Sequence, residues 1–229
     1  MKMDFYKFFG YLNYLNYILW LFELNTVILV VNLPLLIVLM MTEIQLWSLP
    51  VIFVAGITLG PSFLAAFSTM PHIEEGVVRY YFKNLARKWK YCLKVWIPVW
   101  FVAVLLFADI IILQTYGVME PLKWGMVLLL LAGFAFLMSF FIVWSAWNQK
   151  PKDAAILTLK LSFVKPFRFH LGLLILSGTV VLLSIKIIYL LLYGVSLGMF
   201  LAYKNFCPII QYVNDRPENS YKREVSDEY

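Results

Sequence analysis

The sequence predicts an all-α fold: a multi-pass transmembrane helical bundle of about six spans, five being the alternative, with cytoplasmic amphipathic helices. Three observations carry this. The apolar runs are long. Trp124 to Trp147 holds no ionisable side chain, and a hydrocarbon core of about 30 Å takes roughly 20 helical residues to cross. The composition is greasy: 62% hydrophobic, 18% aromatic and 14% charged over 229 residues, against about 25% charged in ordinary globular domains. The basic residues are also segregated. Segments 71–94 and 148–170 hold eleven Lys and Arg, whereas 42–50 and 116–123 hold only Lys123.

The elements follow in order. Phe5 to Tyr17 mixes aromatics with Asn13, Asn16 and Lys7, which predicts an interfacial amphipathic helix leading into the membrane. The first span is 18–41, kinked at Pro34. Thr42-Glu43-Ile44-Gln45 turns into the second span, 46–67, where Gly60-Pro61 is a further breaker. A broken helix at membrane depth survives only where protein or a wet cavity receives the freed backbone groups, so Gly60-Pro61 is expected to face the bundle.

Residues 71–91 are polar, with Val78, Tyr81, Phe82, Leu85 and Trp89 at three- and four-residue steps. That spacing predicts a helix with one apolar face, lying along the membrane surface. Spans 93–113 and 124–147 follow, then a second amphipathic segment over 153–169, then a span over 171–192. The last apolar run, 195–213, contains Lys204 and Pro208, and these residues keep the five-span alternative open. Residues 1–213 thus form a single transmembrane domain. Residues 214–229 form a polar tail.

The positive-inside rule places the two basic segments in the cytoplasm, and with them the N-terminus and, for six spans, the C-terminus. The net charge of +6 therefore reads as a cytoplasmic membrane face and anionic lipid. Base-reading motifs are absent, so no nucleic-acid partner is expected. Arg79, Lys83, Arg87, Lys88, Lys90, Lys160, Lys165 and Arg168 are the basic residues placed to dock a partner or meet lipid.

Four ionisable residues fall within apolar runs: Glu23, Asp109, Lys186 and Lys204. Each is costly there, by roughly 2.5–3.5 kcal/mol on insertion scales. Asp109 and Lys186 sit about 22–24 Å above the cytoplasmic end of their spans at about 1.5 Å per residue. They are expected to share a depth and pair, as a gate, as a structural pair, or as two side chains snorkelling outward. Glu23 and Lys204 form a second possible pair. Asn25, Asn32, Thr58 and Ser62 are expected to bond between helices or, in a transporter, to line a solute site. His72 and His170 read as interfacial, and Cys92 and Cys207 as free thiols without metal-ligand spacing. No nucleophile-elbow, HExxH or P-loop pattern occurs, so neither an enzyme nor a cofactor is expected.

The chain resembles the YesL-like bacterial membrane proteins, a family defined as a domain of unknown function. Three features carry the resemblance: Asn25 through Leu33-Pro34 in the first span, Thr58-Leu59-Gly60-Pro61-Ser62 with Ala65-Ala66, and Glu74-Glu75 followed by Tyr80 to Trp89. The resemblance implies a bacterial cell membrane and an accessory role beside a carbohydrate ABC importer, with its permease and ATPase subunits as partners. A self-contained small-solute transporter and a sensor partnering a two-component system are the alternatives. ABC permeases carry a cytoplasmic Glu-Ala-Ala motif with a Gly about four residues on. Here Asp153-Ala154-Ala155 leads to Leu157 instead, so the chain is not expected to be a standard permease.

Overall fold

The computed structural model describes residues 5–117, 120–147, 150–168 and 194–214, with 171, 172, 174, 175 and 178 besides, and side chains within these from Leu15 to Gln211. Every regular element among them is helical. The α-helices are α1 (Phe5–Val31), α2 (Leu33–Met41), α3 (Leu49–Ala55), α4 (Leu59–Thr69), α5 (Val77–Tyr116), α6 (Glu120–Trp147), α7 (Pro151–Val164) and α8 (Val195–Asn214). Tight 3₁₀ turns over Leu46–Ser48, Gly56–Thr58 and Met70–Glu75 weld α3 and α4 into one helical run, 46–75.

α4 is the axis of the bundle. Its residues Gly60 to Thr69 are all buried, and α1, α5, α6 and α8 pack around it. The sequence explains why. No charge interrupts 46–70, and Gly60, Ser62, Ala65, Ala66 and Ser68 are small enough to let neighbouring backbones approach. A helix without a polar face is stable only when surrounded. The core around it includes Leu24, Leu64, Phe67, Trp96, Phe141 and Ile142.

Three helical runs, 46–75, 77–116 and 120–147, are long and apolar enough to cross a membrane; α1 and α2 make a fourth if taken together as one broken span. In α5 only 11% of the apolar stretch is buried. Phe101, Val102 and Leu105 point outward, each about half exposed. Apolar surface on that scale is not held in water by monomeric soluble proteins, so the outward face is compatible with a lipid setting.

Several boundaries differ from the sequence reading. Residues 5–17 do not form a separate interfacial helix; their backbone continues into α1 without a break. The first span is not one kinked helix. α1 and α2 meet at 69°, and the break is at Asn32, with Pro34 in the first turn of α2. Proline is tolerated there because a first-turn N–H has no intrahelical partner anyway. Gly60-Pro61 does not interrupt the chain's helical course for the same reason: Pro61 stands in the first turn of α4, just after the 3₁₀ turn at Gly56–Thr58.

The largest correction concerns 73–90. The amphipathic segment does not lie apart from the third span but is its continuation, a single 40-residue helix. Nothing between Arg87 and Leu93 breaks a helix, and Cys92, at the junction, is buried. At about 1.5 Å per residue α5 is about 60 Å long, twice the hydrocarbon thickness of about 30 Å, so its basic end stands clear of any core its apolar end occupies.

α6 covers the expected 124–147 and starts one turn earlier; α7 starts near the expected 153 but stops at Val164, before an irregular Lys165, short of the expected 169. The fifth run, 171–192, falls almost wholly outside the described residues, as does the tail beyond Asn214. The sixth run is helical, as α8, with Pro208 inside it. It is not among the helices apolar enough to cross on length and composition, because Lys204, Asn205 and Gln211 dilute it.

Candidate functional site

The break between α1 and α2 sets a polar ladder at the bundle axis. Asn32 has a non-helical backbone, and its side chain does the work of a helix-to-helix bracket. Its amide nitrogen donates to Ile28 O at 2.8 Å and to Ser62 Oγ at 2.8 Å. Its carbonyl accepts from Thr58 Oγ1 at 2.9 Å. The Ser62 and Tyr81 hydroxyls share a further bond at 2.6 Å. Asn32, Thr58, Ser62 and Tyr81 thus tie α1, the 3₁₀ turn, α4 and α5 together. Asn25, also buried, accepts from the Ser196 backbone N–H at 3.3 Å and ties α8 to α1. Among the described residues no buried side-chain nitrogen or oxygen lacks a partner. The polar groups expected between helices are there, bonded to protein rather than set around a void.

Below the ladder, two tryptophans on α5 lie on two glycines of the 46–75 run. Trp96 donates to Gly56 O and Trp100 to Phe53 O, both at 3.0 Å. The indoles stack on each other, centroids 5.5 Å apart and planes 11° apart. Gly60 faces Trp96 and Gly56 faces Trp100, each so closely that a Cβ would overlap the ring. The sequence reading takes Tyr81 only as part of an apolar face and passes over Trp96 and Trp100. The signal was available: Gly56-x-x-x-Gly60 is the small-residue pattern of close helix pairs, and Trp96 and Trp100 share its four-residue period.

At the basic end, beyond the apolar lengths, a turn is clasped by side chains. Gly76 has φ 119°, open to glycine and strained for other residues. His72 Nδ1 is 3.0 Å from Glu75 Oε1, and Tyr80 donates to Glu75 Oε2 at 2.5 Å. The His72 and Tyr80 rings stack. Tyr17 reaches across from α1 to donate to Glu74 Oε1 at 2.8 Å. The Tyr80 hydroxyl, and after it His72, hold the Glu75 carboxyl below its ordinary value of 4.5. A carboxyl lowered by folding stabilises the turn at pH above 4.5 and loses that contribution as pH falls through its lowered value. The protection of the amides around 72–80, each rate being taken relative to its intrinsic rate at the same pH, is therefore expected to fall on acidification below about pH 4.5 in the native chain, and Glu75→Gln to flatten that dependence. An unchanged acid response in Glu75→Gln would count against the clasp.

The intramembrane charges are not brought together. Glu23, Asp109 and Lys204 are exposed, and no ion pair joins them to one another among the described residues. The Lys204 ammonium lies 5.5 Å from the Phe200 ring centroid instead. Lys186, and with it the expected pair with Asp109, lies outside the described residues. Of the basic residues, Arg79, Lys83, Arg87, Lys90, Lys160 and Lys165 are exposed. Two turn inward: half-buried Lys88 donates to Ser68 Oγ at 3.1 Å, and Arg168 donates to Asn205 O at 3.2 Å while Asn205 Nδ2 donates back to Arg168 O at 2.7 Å. Cys92 and Cys207 are free thiols, and the described residues contain no cluster of three or more metal-ligating side chains.

Compared with known proteins, the chain matches no family model, no curated protein and no solved structure.

Proposed function

We propose that the chain is a non-enzymatic membrane accessory subunit that docks on a carbohydrate ABC importer through its basic end. The observation that carries this reading is the continuity of α5. One helix runs from the outward-facing apolar stretch into a segment where Val78 and Phe82 stand exposed beside Arg79, Lys83 and Arg87. α7 adds exposed Ile156, Leu159 and Phe163 beside Lys160. Apolar residues flanked by cations on rigid helices suit a protein partner with an apolar groove and an acidic rim. The importer as partner rests on the family resemblance. The ladder favours this reading over a self-contained transporter, since Asn32, Thr58 and Ser62 are used up by one another.

The test is co-purification of a tagged chain in mild detergent from its own host. Permease and ATPase subunits are expected to accompany it, and Phe82→Glu with Phe163→Glu to release them. A chain recovered without either subunit ends the accessory reading. Solute flux through liposomes holding this chain alone would revive the transporter.

A further inference from the structure

Between α5 and α6 lies an apolar crevice of about 300 Å³, walled by Trp96, Val99, Trp100, Phe107, Gly133 and Leu137 among others. None of the described residues that line it is charged, and both indole N–H groups are already spent on backbone carbonyls. Gly133 adds to the open space of the crevice: a Cβ there would meet nothing within 4 Å. A second crevice, about 370 Å³, shares Val99, Gly133 and Leu137 with the first. It runs on to Pro151, Lys152 and Ala155 at the start of α7. Sharing these three residues, the two lie end to end as a lateral groove, apolar along most of its length, with Lys152 at its end.

We propose that this groove binds a single anionic glycerophospholipid, one acyl chain lying over Gly133 and the headgroup phosphate against the Lys152 ammonium. Water does not fill a cavity with such walls, and an empty one forfeits dispersion contacts along its lining. From Trp96 to Phe107 the wall is about 16 Å long at about 1.5 Å per residue. That is close to half of a hydrocarbon core of about 30 Å, the length of one leaflet's chain. Its lining residues Val99 and Val102 are exposed on α5, where in a bilayer acyl chains are the abundant apolar species. A helix of a second copy is about 10–12 Å across with its side chains and is too thick to enter. Among the described residues of both walls Lys152 is the only ionisable one, so the preference is for a negatively charged headgroup.

The full chain is purified in dodecyl maltoside with phosphatidylglycerol and phosphatidylcholine supplied equally, and weighed by native mass spectrometry. Wild type is expected to retain one phosphatidylglycerol per chain. Gly133→Leu, which fills open space, is expected to lower that adduct by about tenfold with an unchanged helix content. Lys152→Gln is expected to bind lipid without choosing between the headgroups. As a readout independent of these variants, phosphatidylglycerol brominated at mid-chain is expected to quench the native fluorescence, with the quenched fraction falling in Trp100→Phe. A wild-type chain without an adduct, a lipid-free dimer, an adduct undiminished in Gly133→Leu, or quenching indifferent to Trp100 overturns the site.

Discussion

Gly60→Ala is expected to destabilise the bundle by about 1–3 kcal/mol, the range for overpacking a tight core. The sign is the informative part. In an open helix the same change stabilises by about 0.8–1 kcal/mol, because alanine is the better helix former. Here the new methyl would overlap the Trp96 ring at Cδ2. The ring cannot simply move aside, since Trp96 is only 2% exposed and anchored to Gly56 O. The clash therefore outweighs the propensity. Equilibrium unfolding in mixed micelles measures the loss, and a double-mutant cycle identifies its cause. In a Trp96→Ala background, itself weaker by about 3–5 kcal/mol, the cost of Gly60→Ala is expected to vanish or reverse. An equal loss in both backgrounds would show that ring and glycine are not in contact.

Asn32→Leu is expected to be the costliest change in the polar ladder. It removes two bonds to neighbouring elements, to Thr58 and to Ser62, and one to Ile28 O within α1. Hydrogen bonds between membrane helices average about 0.6 kcal/mol, with a maximum of about 1.7, while leaving a buried partner unpaired costs about 1–3 kcal/mol. The sum expected is about 1–3 kcal/mol. Ser62 and Tyr81 keep each other, and Thr58 can turn to its own helix, which limits the loss. Thr58→Val removes one rung and is expected to be milder, with a coupling to Asn32 of about 0.6 kcal/mol or more. Additive effects of the two changes would mean that the rung contributes nothing.

The two variants probe different layers of legibility. Gly60 could be flagged from the sequence, as a glycine before a proline in an apolar run, but as a helix break. The structure makes it a seat for an indole. Glycine-proline signals a departure from ideal α-geometry, and whether that departure becomes a kink or a tightened turn depends on what packs there. Asn32 was legible as a polar residue needing a partner in an apolar run. Which partner it found was not, since Thr58, Ser62 and Asn25 offered equivalent chemistry. The isolated charges show the opposite failure. Opposite charges in separate apolar runs made Glu23 and Lys204 a possible pair, yet a place along the chain says nothing about azimuth, and both are exposed.

The order of greasy and basic stretches determined by itself that the chain is helical and that its long runs suit a bilayer, because hydropathy and helix length are summed locally over about 20 residues. Three matters required the tertiary structure: that α4 is the axis, that 77–116 is one rod, and that a bare glycine on α6 borders an apolar crevice. Each depends on which faces meet, and faces are set by contacts between residues far apart in the chain. Glycine on glycine-spaced tryptophan and asparagine on serine are pairings that no single window of sequence contains.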